Sequence, residues 1–199
     1  MRVLFIEAQR KLDNLNIDSI NFNILPSRIF LAYSIQYKPL ALKIKMKLKG
    51  GVVGMQQVLG CTKLACEEPI LLIGSGIFHA LNLSLQDNIV YVLEGNKINK
   101  IEDKELERYR NKKKTALLKF LSSDKVGILV SCKPGQENLS KALNLKKRLA
   151  KQGKKASIFV ADSIGIAELE NYNIDSWVNT ACPGLVLDYP FLNINEIDF

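Results

Sequence analysis

The sequence predicts an α/β protein: two similar small parallel-sheet units of Rossmann-like design, preceded by a strand from a missing N-terminal domain. Three observations lead there. Short apolar runs rich in β-branched residues recur along the chain, and segments with helical spacing separate several of them. The pieces also begin twice in the same way, with Arg28-Ile-Phe-Leu-Ala-Tyr-Ser34 ahead of Gln36 and Lys125-Val-Gly-Ile-Leu-Val-Ser131 ahead of Gln136.

The strand candidates are Val3–Ile6, Ile29–Ser34, Ile70–Ile73, Ile89–Leu93, Val126–Val130, Ala156–Val160 and Trp177–Val178. Being short and apolar almost throughout, they suit strands covered on both faces, as parallel sheets require. Leu139, Ala142, Leu143, Leu145, Leu149 and Ala150 fit one face of a helix from Asn138 to Gln152, with Gly153 as its stop. Leu40, Ile44 and Leu48 repeat at four after Pro39 and suggest another helix, although Lys43, Lys45 and Lys47 also alternate as a strand would. The stretch Ile101–Leu121, charged first and apolar later, reads as a long helix between the two units. Arg2–Glu7 reads as a lone strand with no βαβ unit of its own, like the last strand of a domain whose beginning is absent. The expected division is therefore 1–20 for that terminal strand segment, 21–122 for a middle α/β domain with its linking helix, and 123–199 for a C-terminal α/β domain.

Composition bounds the function. With 199 residues, 47% of them hydrophobic, the chain can bury a core in one large domain or two small ones. The apolar start is too short for a signal peptide, and no run reaches the ~20 apolar residues that cross a bilayer. These features predict a cytoplasmic protein, in which Cys61, Cys66, Cys132 and Cys182 are thiols or metal ligands rather than disulfides. The net charge of +8 gathers at Lys38–Lys49, Arg108–Lys114 and Lys147–Lys155. Solvated helix faces account for most of these cations. Aromatic residues do not interleave with the lysines, which argues against a nucleic-acid surface.

Cys61, in Val-Leu-Gly-Cys-Thr-Lys, and Cys182, in Asn-Thr-Ala-Cys-Pro-Gly, each sit where an apolar run meets a turn, a place from which a sulfur can face away from the core. Taken alone, the Cys61 segment reads more simply as a turn with an incidental cysteine. The cysteine–proline step at Cys182 favours a ligand more, because such steps recur at cluster sites. Cys66, at Cys-x4-Cys spacing, and Cys132, at a strand end, read as structural. Gly74-Ser-Gly-Ile-Phe-His79 follows a strand, where backbone amides can approach a negative group. His79 is the single histidine, so a His-based metal site has no second member. Ser131-Cys-Lys-Pro-Gly-Gln136 occupies the corresponding strand-to-helix position later in the chain.

Taken in order, Gly54–Cys61, Ile73–His79, Lys133–Gln136 and Asp175–Pro183 resemble the diphthamide synthase, or 2-(3-amino-3-carboxypropyl)histidine synthase, family. The resemblance implies a family of three similar α/β domains, each giving one cysteine to a central 4Fe-4S cluster. S-adenosylmethionine takes the iron without a cysteine and is cleaved to a 3-amino-3-carboxypropyl radical, in a non-canonical radical reaction. That group is transferred to a histidine of translation elongation factor 2, the first step of diphthamide biosynthesis. On this reading Cys61 and Cys182 are the metal ligands of the middle and last domains. Gly74, Gly76, His79 and Gln136 are the candidates for holding S-adenosylmethionine.

Neither Cys66 nor Cys132 matches the family's remaining ligand. The chain is then expected to be part of a split enzyme, needing a separately encoded N-terminal subunit for the third cysteine, and to act as a homo- or hetero-oligomer. Ile77 and Gly184 stand where the family's motifs carry arginines, which favours an alternative: a degenerate, non-catalytic subunit or scaffold of the same complex.

Overall fold

The computed structural model describes residues 4, 6–8, 15–74, 76–163, 165–186 and 191–197. The chain divides into two compact units, residues 1–107 and 108–199. The strand expected at Arg2–Glu7 lies in part outside the described residues; within it, Leu4, Ile6 and Glu7 are not in a strand.

In the first unit, β1 (Ile29–Tyr33), α1 (Lys38–Lys47), β2 (Val52–Gln57), β3 (Ile70–Ile73), α2 (Ile77–Ser84), β4 (Val90–Glu94) and β5 (Lys97–Lys100) follow one another. The sheet order is β2-β1-β3-β4-β5. The first four strands are parallel, with β1 between β2 and β3. β3 shows why its sequence is apolar at every position. Leu71 and Ile73 enter a core with Leu31, Leu40 and Ile44, while Ile70 and Leu72 enter a second core with Val58, Leu64, Ala80 and Leu83. α1 resolves the ambiguity of its lysine alternation in favour of the helix, burying Leu40, Ala41 and Ile44.

β5 is antiparallel to β4, with Glu94 opposite Lys97 across the Gly95–Asn96 turn. Its sequence, Lys-Ile-Asn-Lys, buries Ile98 alone, so no apolar pattern announces it. The hairpin turn makes it an edge strand.

α3 (Asp103–Ser122) follows, with Asp103 and Glu105 in its first turn and Lys119 in its last, charges that complement the helix dipole. The second unit continues with β6 (Lys125–Ser131), α4 (Leu139–Lys151), β7 (Lys155–Ala161), α5 (Ile166–Leu169), β8 (Ser176–Asn179) and β9 (Leu192–Asn193). Its sheet order, β7-β6-β8-β9, is parallel throughout. In chain order both sheets therefore run second, first, third, fourth strand, which gives the repeated sequence opening a common structural origin.

α4 buries Ala142, Leu145 and Leu149, whereas Leu139 and Leu143 of the expected apolar face are exposed. Its C-terminus closes as a Schellman motif: the Gly153 amide donates to Ala150 O at 3.1 Å and the Lys154 amide to Leu149 O at 3.0 Å. The Lys154 ammonium donates in turn to Leu121 O at 2.9 Å and Phe120 O at 3.3 Å, capping the last carbonyls of α3. Among the described residues, no helix is long and apolar enough to cross a membrane.

Candidate functional site

Ligands of open α/β sheets gather beyond the carboxyl ends of the strands. In the first unit that edge carries Ser34 after β1, the Cys61 loop after β2 and the Gly74–Gly76 turn after β3.

Cys61 is exposed and free. Its loop lies against α2, gripped by three residues spaced four apart. The Phe78 ring covers Gly60, where a Cβ would come within 2.0 Å of ring carbon Cε1. The Asn82 amide donates to Gly60 O, and the Gln86 amide donates to Thr62 O at 3.1 Å. Gln86 Oε1 also accepts from the Leu64 amide at 2.9 Å. Within the loop, Thr62 Oγ1 accepts from the Leu59 amide at 2.8 Å, and the Thr62 amide donates to Leu59 O at 3.0 Å. The motif Gly-x-Gly-Ile-Phe-His and the loop Leu-Gly-Cys thus meet in space: the glycine before the cysteine is the seat of the motif's phenylalanine.

Gly76 caps α2 with φ 96°, a conformation that disfavours any side chain, and no side chain caps the helix. Gly74 and Gly76 line a cleft of about 240 Å³ together with Tyr37, Leu93, Glu94 and Gly95. Ser34 Oγ, buried without a hydrogen-bond partner among the described residues, lies 3.2 Å from where a Gly74 Cβ would stand. His79 does not line the cleft. It sits half-buried in the first turn of α2, its ring edge-on to Phe78 at 5.8 Å, and burial pulls its pKa below the ordinary value of 6.5. The imidazole is therefore neutral at neutral pH.

The carboxyl edge of the second unit carries Cys132 and Gln136 after β6 and Cys182 after β8. Gln136 is half-buried and closes the turn that begins at Lys133, its backbone N–H donating to Lys133 O at 3.0 Å. Cys182 is free and half-buried. Asn179, itself 1% exposed, holds its loop from below. The Asn179 amide donates to Cys182 O at 2.8 Å and to Asn193 Oδ1 at 2.9 Å, and its oxygen accepts from the Ala181 amide at 2.9 Å. Thr180 donates through its hydroxyl to Leu129 O at 2.7 Å, and Asn138 donates to Thr180 O at 2.8 Å. Below Asn179, Glu196 accepts from the Asn193 backbone N–H at 3.1 Å and pairs with Lys113 at 2.6 Å. Asn179 and Thr180 are thus fixed by long-range bonds that sequence spacing cannot display, and Ala181 and Cys182 are held in turn by Asn179.

The four thiols differ in what they can bind. No hydrogen bond reaches the Cys61 or Cys182 sulfur among the described residues. The Cys66 thiol is engaged by Glu68 O at 3.6 Å and Asn88 Oδ1 at 3.8 Å, and burial, with Glu68 nearby, pushes its pKa up. That agrees with a structural role. Cys132 differs from its expected packing role, being exposed. Its pKa is also raised, by desolvation first and then by the carboxylates of Asp162 and Glu137, with Asp162 also accepting from the thiol. Metal ligation needs the thiolate, so this setting disfavours Cys132 as a ligand. Cys61 and Cys182 fit an iron–sulfur cluster by donor type and access. Such a cluster takes four ligands, and no group of three or more metal-binding side chains occurs among the described residues.

Known proteins resemble this chain in sequence and fold. The sequence model of the family described as "Putative diphthamide synthesis protein" matches residues 1–192. A 2-(3-amino-3-carboxypropyl)histidine synthase of Pyrococcus horikoshii is 33% identical over 135 residues, 66% of this chain and 40% of that protein. The 2-(3-amino-3-carboxypropyl)histidine synthase subunit 1 of Kluyveromyces lactis is 28% identical over 190 residues, 89% of this chain and 42% of its own. The chain thus spans less than half the length of these relatives. The crystal structure of Dph2 from Pyrococcus horikoshii with a 4Fe-4S cluster superposes with a TM-score of 0.76 at 28% identity, covering 87% of this chain and 57% of that one.

Proposed function

We propose that this chain, which belongs to the diphthamide synthesis protein family, provides two cysteine ligands, Cys61 and Cys182, to the 4Fe-4S cluster of a 3-amino-3-carboxypropyl transferase. The acceptor in this reading is a histidine of translation elongation factor 2. A separately encoded N-terminal subunit supplies the third cysteine, and the assembly is an oligomer in the cytoplasm. Held by these cysteines, such a cluster would supply the reducing electron for cleavage of S-adenosylmethionine.

This chain's own residues have defined tasks. Gly74 and Gly76 let the backbone approach the cofactor at the cleft beside α2, and the free amides at the start of that helix favour its carboxylate. His79, neutral through burial, stands in the same turn as a hydrogen-bonding group without charge. Gln136 offers an amide at the carboxyl edge of the second sheet. Exposed lysines on α1 of the first unit, and independently those on α4 of the second, are the candidates for docking an acidic translation factor. The observation that carries the reading is the thiol pair: two accessible sulfurs, each on a loop pinned by side chains at the carboxyl edge of its sheet.

The test is anaerobic co-expression with a one-domain partner carrying an unpaired cysteine. Cluster absorbance, iron content, S-adenosylmethionine cleavage and modification of elongation factor 2 are then measured for the natural chain, Cys61→Ser and Cys182→Ser. Loss of iron and of modification in both variants is expected; unchanged iron and modification in both would overturn it.

Ile77 and Gly184 support the second reading, a non-catalytic scaffold. Ile77 opens α2 with its apolar side chain 41% exposed beside the cleft, where an arginine would have offered charge. If Ile77→Arg raises cofactor cleavage from nothing to a measurable rate, the scaffold reading holds for the natural chain.

A further inference from the structure

The hydrogen bonds that hold the Cys61 loop have a selectivity that its own sequence does not explain. The Asn82 and Gln86 amides reach two backbone carbonyls, Gly60 O and Thr62 O, the ones immediately before and after Cys61. The Gln86 amide also donates to Asn82 O at 3.1 Å, so the two residues brace one another along α2 and the turn that follows it. Gln86 further accepts from the Leu64 amide at 2.9 Å. One pair of side chains, four residues apart, therefore grips the backbone on both sides of a single exposed thiol. Both residues are polar in a stretch whose neighbours Leu81, Leu83 and Val90 belong to the core. An apolar residue at either place would leave loop carbonyls half-buried without donors.

We infer that Asn82 and Gln86 are positioning residues for Cys61: they fix the loop backbone so that the thiol is presented in one orientation before any metal arrives. The inference rests on the ligand reading of Cys61 for its purpose but not for its test. A preformed ligand costs less ordering on binding, because the loop's freedom is lost during folding rather than during cluster assembly.

The experiment is hydrogen exchange on the full chain without metal, comparing residues 58–64 with the amides of β3 in Asn82→Ala, Gln86→Ala, Gln86→Glu and the double alanine variant. Each alanine variant should speed exchange in the loop about fivefold, and the double about thirtyfold, with β3 unchanged. Gln86→Glu keeps the acceptor for the Leu64 amide and loses the donor to Thr62 O. It should therefore retain protection at Leu64 while the rest of the loop opens.

Unchanged loop exchange in the double variant overturns the inference. So does equal acceleration in the loop and in β3, which would make the pair a part of global stability. If the double variant does not fold, the single variants decide by the same comparison. Failure of the ligand reading registers separately, as unaltered iron content in Cys61→Ser beside accelerated exchange in the alanine variants.

Discussion

Substituting Gly60 by alanine probes the contact that joins the cysteine loop to α2. The new Cβ would lie 2.0 Å from Phe78 Cε1 and 2.8 Å from Cδ1. Carbon atoms settle near 3.5–4.0 Å, so the ring or the loop must retreat by about 1.5 Å. Overpacking of this kind costs roughly 1–3 kcal/mol. The backbone at Gly60 lies outside the left-handed region, so alanine also narrows the unfolded ensemble and returns roughly 0.4–1 kcal/mol. The net expectation is a loss of about 0–2.6 kcal/mol, centred near 1.3, read as a lower urea midpoint for the first unit with an unchanged slope.

Phe78→Leu removes the obstructing ring, and in that background Gly60→Ala should be neutral or slightly stabilising. The cycle isolates the contact: a coupling of about 1 kcal/mol or more is expected. Equal cost of Gly60→Ala with and without the ring would refute the argument, since the destabilisation would then arise from something other than the packing of Phe78 on the loop.

Further outcomes follow from the same geometry. Asn179→Ala deletes three hydrogen bonds around Cys182 and leaves the Ala181 amide and Cys182 O without these partners. The loss should be about 2–4 kcal/mol by chemical denaturation, and less than about 0.5 kcal/mol would contradict the network. Lys154→Met keeps the aliphatic stem but uncaps α3, for a loss of about 1 kcal/mol in the same measurement. His79 is held below its ordinary pKa of 6.5 by burial, so the unfolded chain takes up the proton first as pH falls. Its contribution to stability is complete above about 6.5 and is lost as pH drops through the folded value; the difference between the natural chain and His79→Gln across that range should show this slope, and a flat difference would refute it. Removing the Asp162 carboxylate as Asp162→Asn should raise the alkylation rate of Cys132 severalfold at mildly alkaline pH, whereas Cys66 should keep its rate.

Much of the scaffold was legible because it is written in local pattern. β3 is apolar at all four positions since each faces one of two cores, and α4 stops where Gly153 permits the Schellman turn. β5 was not legible, because it is held by a hairpin turn and not by burial of alternate residues. Leu139 and Leu143 matched the helical face by spacing yet lie exposed, since spacing identifies a stripe but not its width. The two cysteine turns and the glycines of the cleft were visible as punctuation between strands. Asn82, Gln86 and Asn193 were not, because a side chain that bonds a distant carbonyl leaves no periodic trace. Cys132 misled for a related reason: a strand end is a packing position only when a neighbour covers it.

The two sheets share one strand order, yet the candidate sulfurs leave from different strands, the second of one sheet and the third of the other. A residue-by-residue overlay of the halves therefore pairs Cys61 with the turn after β7, and Cys182 with the glycine turn after β3. Donor groups in such a duplicated scaffold belong to a rim, not to an equivalent address. A designer who wished to move a thiol within either half could draw on every strand that ends at that rim.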